Sequence, residues 1–392
     1  MASTSDIQLN FSQNSLQEAG SYKLLELPSD LCNLVESSLD NATSLSLSIK
    51  GQENEEAVLC TQDRTYTVRS VVLSNTILIV KSSDSGGNSV DIRDQVNNIL
   101  ELAPCVPKLQ KLDLLLRGKI YDENLAGMEI DSETTVSGLS IPFLLPRIEL
   151  RKGTGLTYEQ AKLDIQASDE ELIRALKDRR ILVINGELRP ITPGYLLQIL
   201  ELVLTILVSL SLPHDAAPVD ELSSILANDH EVSQTVTKQI IAWFGEVEDD
   251  KWKMDVRAVV GEMGLNLLRE HRREPIAEDL LLTKWKSCVG DTFQSAISLD
   301  LLSGNYIKSN ENSVSECTML TYFPASALSA DPAARFAHLF LARPRWKGDE
   351  ISPFLNDIAV DKKERDKLLL KYCRAIIEAG SVWYTSRAQY NI

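Results

Sequence analysis

The stretch SDEELIRALKDRRILVINGELRPI, residues 168–191, holds a helix and a hairpin in 24 residues. Ser168 followed three residues later by Glu171 is a capping box, in which two side chains satisfy the first free N–H groups of a helix. Leu172, Ala175 and Leu176 then give that helix one apolar face. ILVI and ELRPI read as strands. Asn185-Gly186 between them is the dipeptide that a two-residue type I′ turn demands, because both central residues need positive φ. Thr192-Pro193 opens the next helix, with a hydroxyl cap and a proline at a position where no N–H is missed.

The same order recurs downstream. EVSQTVTKQIIAWFG (231–245) predicts a helix whose inner face is Val232, Val236, Ile240 and Phe244, stopped by Gly245, before the hairpin EVEDDKWKMD. DTFQSAISLDLLSG (291–304) precedes NYIKSNENSVSECTMLTYF, and DKKERDKLLLKYCRAIIEAG (361–380) precedes SVWYTS. Shorter helical segments come before each. The post-helix strands are expected near 181, 246, 305 and 381, at spacings of 65, 59 and 76 residues. Helices followed by a β-hairpin at this period predict tandem winged helices, in which a third helix crosses the first two and the hairpin covers the open end of the core. The expected units are 156–192, 193–256, 257–325 and 326–392, the first of them short.

Upstream the pattern changes. YKLLEL (22–27), SLSLSIK (44–50), EAVLC (56–60), RTYTVRSV (64–71) and NTILIV (75–80) are short strand candidates. NTILIV is apolar without alternation, which predicts burial on both faces. A helix at PKLQKLDLLLRG (107–118), with Leu109, Leu112 and Leu116 on one face, is expected to close an N-terminal β domain over 1–118. So small a sheet either closes into a barrel or leaves an edge for another chain. The glycine-bearing stretch 119–155 reads as a linker. The fold class expected is therefore α+β: a small β domain followed by three to four tandem winged helices.

Several chemistries are excluded. The chain has 392 residues and a net charge of −16, so it is not a general nucleic-acid binder. Six scattered cysteines with no C-x-x-C pair, and four histidines, fit reduced thiols rather than disulfides or a zinc site. MASTSDIQLN shows no basic stretch before an apolar one, so no secretory signal is expected. The apolar run YLLQILELVLTILVSLSL carries Gln198, Glu201, Thr205 and Ser209 as one polar stripe, the pattern of a buried helix rather than a membrane span. DSGGNS (84–89) lacks the Gly-Lys-Ser/Thr of a phosphate-binding loop, and no metal-ligand or nucleophile motif is present. No cofactor and no catalysis are expected. The acidic EVEDD reads as a solvated turn.

Charge is uneven along the chain. Residues 335–392 hold eleven Lys/Arg and seven Asp/Glu, a net of +4, so the other 334 residues carry −20. Local attraction to phosphate needs such a module. Its candidate DNA-binding residues are Arg343, Arg345, Lys347, Lys362, Lys363, Lys371, Arg374 and Arg387, with Lys362, Lys363, Arg365, Lys367, Lys371 and Arg374 expected on one helix. Arg174, Lys177, Arg179 and Arg180 form a competing set. A tryptophan exposed on a wing is expected to anchor an interface.

Four stretches carry a family resemblance: YKLLELPSDLCNLVE (22–36), EEAVLCTQDRTYTVRSVVLSNTILIV (55–80), LTYEQAKLDIQASDEELIRAL (156–176), with IQASDEEL its most specific piece, and the end RWKGDEISPFLNDI…VWYTSR. Together they resemble the sister-chromatid cohesion proteins of the Dcc family, accessory subunits of the alternative, cohesion-linked replication factor C clamp loader. The resemblance implies a nuclear, chromatin-associated subunit without ATPase activity. Its β domain would join a second small accessory subunit in a composite β-barrel that holds the C-terminal tail of the large ATPase subunit. Val58, Leu59, Tyr66, Val68, Ile77 and Ile79 are the candidate partner-binding residues. The winged helices would meet DNA, single- or double-stranded, and the catalytic region of DNA polymerase epsilon; the sliding clamp would be reached indirectly. The alternative is a tandem winged-helix scaffold of a transcription or ubiquitin-ligase complex.

Overall fold

The strand-rich N-terminal sequence builds one open sheet. Its elements are β1 (Gln8–Phe11), β2 (Leu24–Glu26), α1 (Ser29–Asp40), β3 (Ser48–Lys50), β4 (Val58–Cys60), β5 (Thr65–Ser82) and β6 (Ser89–Pro104). The order is β1-β6-β5-β4-β3, with β2 also on β6; β1 and β2 run parallel to β6, and the remaining pairs are antiparallel. This computed structural model describes residues 7–11, 22–40, 45–82, 89–122, 155–310, 318–378 and 380–387. Most of the predicted linker, and all but the last residue of DSGGNS, lie outside them. By packing, the chain divides into Met1–Leu109 with Lys162–Leu172, and Gln110–Ala161 with Ile173–Ile392.

Two expectations for the first unit change. The strands predicted at 64–71 and 75–80 are one 18-residue strand, β5, whose register with β6 shifts between Val72 and Ile77. Its partner β6 has no counterpart in the sequence reading, because Asp91, Arg93, Asp94, Asn97 and Asn98 hide its alternation. Among the described residues the sheet closes into no barrel.

At the base of the sheet, Leu31 of α1 meets Leu59, Tyr66 and Leu102 in a small core. The Tyr66 hydroxyl donates to the Asp30 carboxylate at 2.8 Å. Burial first, and then that carboxylate, push the phenol up to about 12. Neighbouring residues on a strand face opposite ways, so Thr65 lies on the other side. There it meets residues 162–172. The predicted capping box forms, with Glu171 N donating to Ser168 Oγ at 3.2 Å and Ser168 N to Glu171 Oε2 at 3.0 Å. The Thr65 hydroxyl donates to the same Glu171 oxygen at 2.5 Å. Gln166 donates to the Glu56 carbonyl at 2.7 Å, and Lys50 to the Ala167 carbonyl at 2.6 Å. IQASDEEL thus packs as part of the β unit, although it lies within the sequence-defined segment 156–192.

The second unit begins with α2 (Gln110–Leu115), shorter than the predicted 107–118 helix. After α3 (Tyr158–Asp164) and α4 (Asp169–Asp178) comes the hairpin β7 (Ile181–Ile184) and β8 (Glu187–Pro190). Asn185 at φ 52 and Gly186 at φ 82 make its turn as the dipeptide requires.

Three modules of one plan follow. The first has α5 (Pro193–Ser209), β9 (Ala217–Pro218), α6 (Val219–His230), α7 (Gln234–Trp243), β10 (Gly245–Glu248) and β11 (Lys251–Met254). The second has α8 (Val256–Glu270), β12 (Ile276–Ala277), α9 (Glu278–Val289), 3-10 turns at Asp291–Ala296 and Leu299–Leu302, β13 (Tyr306–Asn310) and β14 (Thr318–Tyr322). The third has α10 (Pro332–Ala342), β15 (Arg345–Lys347), α11 (Gly348–Ile351), α12 (Lys362–Tyr372), β16 (Cys373–Glu378) and β17 (Ser381–Ser386). Each short strand pairs with the second strand of its hairpin, giving β10-β11-β9, β12-β14-β13 and β15-β17-β16. The whole is a mixed α and β chain with several small sheets.

Local chemistry explains the departures. Ser298 accepts a bond from Asp300 N, which restarts the chain inside the helix expected at 291–304 and leaves two 3-10 turns. The helix expected to run to 380 ends at Tyr372, and 373–378 is strand, because β-branched Ile376 and Ile377 pair with Trp383 and Val382. Gly245 is no left-handed helix stop. A Cβ there would lie 2.3 Å from Trp252 Nε1, so its small size serves close packing. In α5, Tyr195, Leu196, Ile199, Leu200, Val203 and Leu204 are buried while the polar stripe faces outward. Among the described residues no helix is long and apolar enough to cross a membrane.

A candidate docking edge and a candidate nucleic-acid interface

Beyond its base, the β5–β6 hairpin becomes an arm. β4 pairs with β5 only through Thr65, Tyr66 and Thr67, and a last bond runs from Val68 N to the Ala57 carbonyl. From 69 to 82 the same edge of β5 has no strand partner among the described residues. The stretch lies along the twelve residues Val90–Glu101 of β6, a length of about 40 Å. Val72 is 82% exposed, Ile77 and Leu78 each 39%, and Val80 45%. Consecutive apolar residues of a strand lie on alternate faces, so Ile77 and Leu78 are displayed on both, and the burial that NTILIV predicts is not provided among the described residues.

The candidate partner residues separate accordingly. Val58, Leu59 and Tyr66 are interior side chains, which removes them from the candidate surface. Val68 and Ile79 are half-buried and Ile77 is exposed. Val72, Leu78 and Val80 belong to the surface but are missing from the sequence-based set. The mixed Val-Leu-Ser-Asn-Thr stretch was the available signal, and it reads as two strands only if the irregular register is not foreseen.

The basic C-terminal module has its own core of Phe336, Leu339, Phe340, Trp346, Ile351, Phe354 and Leu355. Its eleven cations divide by role. Arg335 is buried, donating to the carbonyls of Ser329, Phe354, Ala325 and Leu328 and to Asp357. Arg343 pairs with Glu350 at 2.7 Å. Arg387 donates to the Cys373 carbonyl at 2.8 Å, and Arg365 to Asn356 at 3.1 Å. These four serve the fold or a local pair.

The others face outward in two groups. Lys363, Lys367 and Lys371 recur every fourth residue along α12, flanking Leu370, which is 67% exposed. Lys362 stands at the first position of the helix. Arg374 is not on the helix as expected but on β16, because the helix stops two residues earlier. It belongs with Arg345 and Lys347, on the sheet. Trp346 and Cys373 point into the core, so their neighbours Arg345, Lys347 and Arg374 point away from it. On the same outer face lies Trp383, with the Arg345 guanidinium 5.0 Å and the Lys347 ammonium 5.4 Å from its ring centre. Arg345 also pairs with Glu378. Of the five tryptophans, Trp252, Trp285 and Trp346 are core, whereas Trp243 and Trp383 are half-buried.

In the competing set, Arg179 pairs with Asp113 at 3.0 Å. Arg180 donates to buried Glu262 at 3.0 Å and stacks 4.4 Å from the Phe244 ring centre. Both are committed to other residues, which leaves Arg174 and Lys177 exposed there.

No group of His, Cys, Asp or Glu that could hold a metal occurs among the described residues. Burial, followed by the Glu201 carboxylate, pushes the Cys288 thiol up to about 12, and burial pushes Cys373 to about 12. Neither is a poised nucleophile.

The sequence matches the family model described as sister chromatid cohesion protein Dcc1 over residues 22–355. It is 27% identical over 388 residues to sister chromatid cohesion protein DCC1 of Xenopus laevis, covering 94% of this chain and 90% of that one. With the Homo sapiens protein of that name it shares 26% over 384 residues, covering 94% and 89%. With the Saccharomyces cerevisiae protein it shares 23% over 374 residues, covering 90% and 93%. The matched span runs from β2 through the first two modules and into the third as far as the turn after α11, so the arm, IQASDEEL and two complete modules fall within it, while α12, β16 and β17 lie beyond it: the chain belongs to the sister chromatid cohesion protein Dcc1 family.

Proposed function

We propose that this chain acts in sister chromatid cohesion as a non-catalytic adaptor subunit of an alternative replication factor C clamp loader, in the nucleus and on chromatin during replication. The unpaired apolar edge of β5 carries the reading. An open edge of that length takes an added strand, with main-chain bonds for affinity and alternate side chains for specificity. The small accessory subunit and the C-terminal tail of the large ATPase subunit are the chains that would complete it into a composite barrel. The three modules are read as winged helices, contacting the catalytic region of DNA polymerase epsilon and DNA. The sliding clamp is then reached through the ATPase subunits.

The test is recovery of the native complex on tagged full-length chain, identified by mass spectrometry. Clamp-loader ATPase subunits are expected with the wild type and lost with Ile77→Asp/Leu78→Asp, whose helical modules keep their amide-exchange protection. Recovery of cullins or RNA polymerase II factors instead, or of unchanged partners on the variant, overturns the proposal.

DNA contact is assigned to the third module, where Lys362, Lys363, Lys371 and Arg374 have no ion-pair partner among the described residues. Contacts to phosphates weaken steeply with salt, each neutralised phosphate adding about 0.9 to the log–log slope on duplex. Changing those four residues to Glu is expected to lower both affinity and salt slope. If both stay unchanged, DNA is not bound by this module.

A further inference from the structure

The outer face of the C-terminal sheet holds more than charge. In the order β15-β17-β16, Trp383 sits on the central strand, opposite Lys347 on one side and Ile376 on the other. Arg345 starts on β15 and reaches Glu378 on β16, so its side chain crosses β17, and its guanidinium lies over the indole on the way. Arg374 pairs across from Thr385 on the same face. The Arg345 and Glu378 side chains are 45% and 58% exposed. An ion pair that wet is weak, and a phosphate competes with it readily.

We propose that this face binds single-stranded DNA, stacking one unpaired base on Trp383 while Arg345, Lys347 and Arg374 hold the flanking phosphates. Glu378 is an internal competitor that draws Arg345 across the ring when the face is empty. This deepens the DNA-binding reading above and rests on it. The chemistry favours a single strand because a duplex keeps its bases stacked on one another and offers an indole only its edges. An unpaired base presents a full π-face, and an aromatic flanked by cations takes any of the four. The lysines of α12 surround Leu370, and the ring nearest them, half-buried Tyr372 beside Lys371, has a face already stacked on Phe336 at 5.0 Å, so the helix offers charge with less stacking surface than the sheet. Binding swings the Arg345 guanidinium from the Glu378 carboxylate to a phosphate; no bond is made or broken.

The experiment is fluorescence anisotropy of full-length chain with a labelled 20-mer of oligo-dT and with a 20-base-pair duplex, each at two salt concentrations. Glu378→Gln is expected to tighten oligo-dT binding about threefold, the size of an exposed pair, with little change on duplex. Trp383→Leu is expected to weaken oligo-dT binding about tenfold with the salt slope unchanged, because stacking and not charge is lost. A gain of affinity cannot arise from misfolding, so Glu378→Gln remains decisive if Trp383→Leu is unstable. If either folded variant binds oligo-dT like the wild type, the proposal is wrong. If in that case Lys362, Lys363 and Lys371 changed to Glu still abolish binding, DNA contact by this module stands and only the Trp383 site falls. A wild-type chain that binds neither DNA overturns both.

Discussion

The Thr65 hydroxyl and the Glu171 carboxylate lie 2.5 Å apart across 106 residues of sequence. The same oxygen accepts from Ser168 N, and Ser168 N also donates to Thr65 Oγ1 at 3.0 Å. One carboxylate therefore both caps a helix and fixes the inner end of β5. Glu171→Ala takes the acceptor from the buried Thr65 hydroxyl and leaves Ser168 N with Thr65 Oγ1 alone, an expected loss of about 1–3 kcal/mol. Glu170→Ala, on the exposed side of the same turn, is expected to stay within about 0.5 kcal/mol. Denaturant melts of the two variants check the difference. A fragment of residues 1–118, which lacks 162–172, is expected to show no cooperative melt.

Alkali provides a second check on the same sheet. The Tyr66 phenol, raised from 10.0 to about 12 by burial and by Asp30, prefers its protonated form when folded. A raised pKa gives stability that is whole below the unfolded value and lost as pH rises through the folded one. The contribution of Tyr66 should therefore be full below pH 10 and gone above about 12. Stability of wild type and Tyr66→Phe, measured between pH 9 and 12, is expected to converge at the alkaline end. Parallel curves would show that the phenol does not titrate with unfolding.

Gly264 lies inside α8, where glycine normally weakens a helix by about 1 kcal/mol. A Cβ there would sit 2.3 Å from the six-membered ring of buried Trp285, whose Nε1 donates to the Val260 carbonyl at 2.9 Å. Gly264→Ala is expected to destabilise by about 1–3 kcal/mol, as overpacking does, despite the better helix propensity of alanine. Thermal unfolding of the variant shows the sign directly.

Arg335 is 1% exposed and hydrogen-bonded to four carbonyls and Asp357, which ties the segment before α10 to the turn after α11. Arg335→Met strands those carbonyls and is expected to lose about 3–5 kcal/mol. Asp357, 49% exposed, can exchange its partner for water, so Asp357→Asn is expected to lose about 1 kcal/mol. Equal losses from the two, in urea titrations, would mean that the ion pair and not the carbonyl set holds the segment.

The parts of the fold written in short-range chemistry were legible. Asn185-Gly186, Thr192-Pro193 and Ser168/Glu171 form the turn and caps that their residue types demand. Val236 and Ile240 of α7, with Val232 just before it and Phe244 just after, are buried as the period requires. What depends on distant partners was not. β6 is a strand because β5 lies beside it, and its Asp and Asn residues are tolerated on an arm that faces water. Reading 373–378 as strand rather than helix moves the four hairpin starts to 181, 245, 306 and 373, spacings of 64, 61 and 67, more even than the sequence suggested. The candidate surface was half legible for the same reason. Charge located the C-terminal module, but only the sheet register shows that Arg345, Lys347, Arg374 and Trp383 share a face.

The arm is expected to limit how many uncovered copies of this chain a cell keeps. Val72, Ile77, Leu78 and Val80, displayed along a strand that has one edge without a strand partner among the described residues, form the kind of surface that chaperones hold and that quality-control proteases find. Chain made in excess of what covers that edge is expected to turn over faster than chain that has been covered. Its half-life then becomes a gauge of stoichiometry. A pulse-chase of overproduced wild type against Ile77→Asp/Leu78→Asp reads that gauge, with the charged arm expected to outlast the apolar one when both are orphaned.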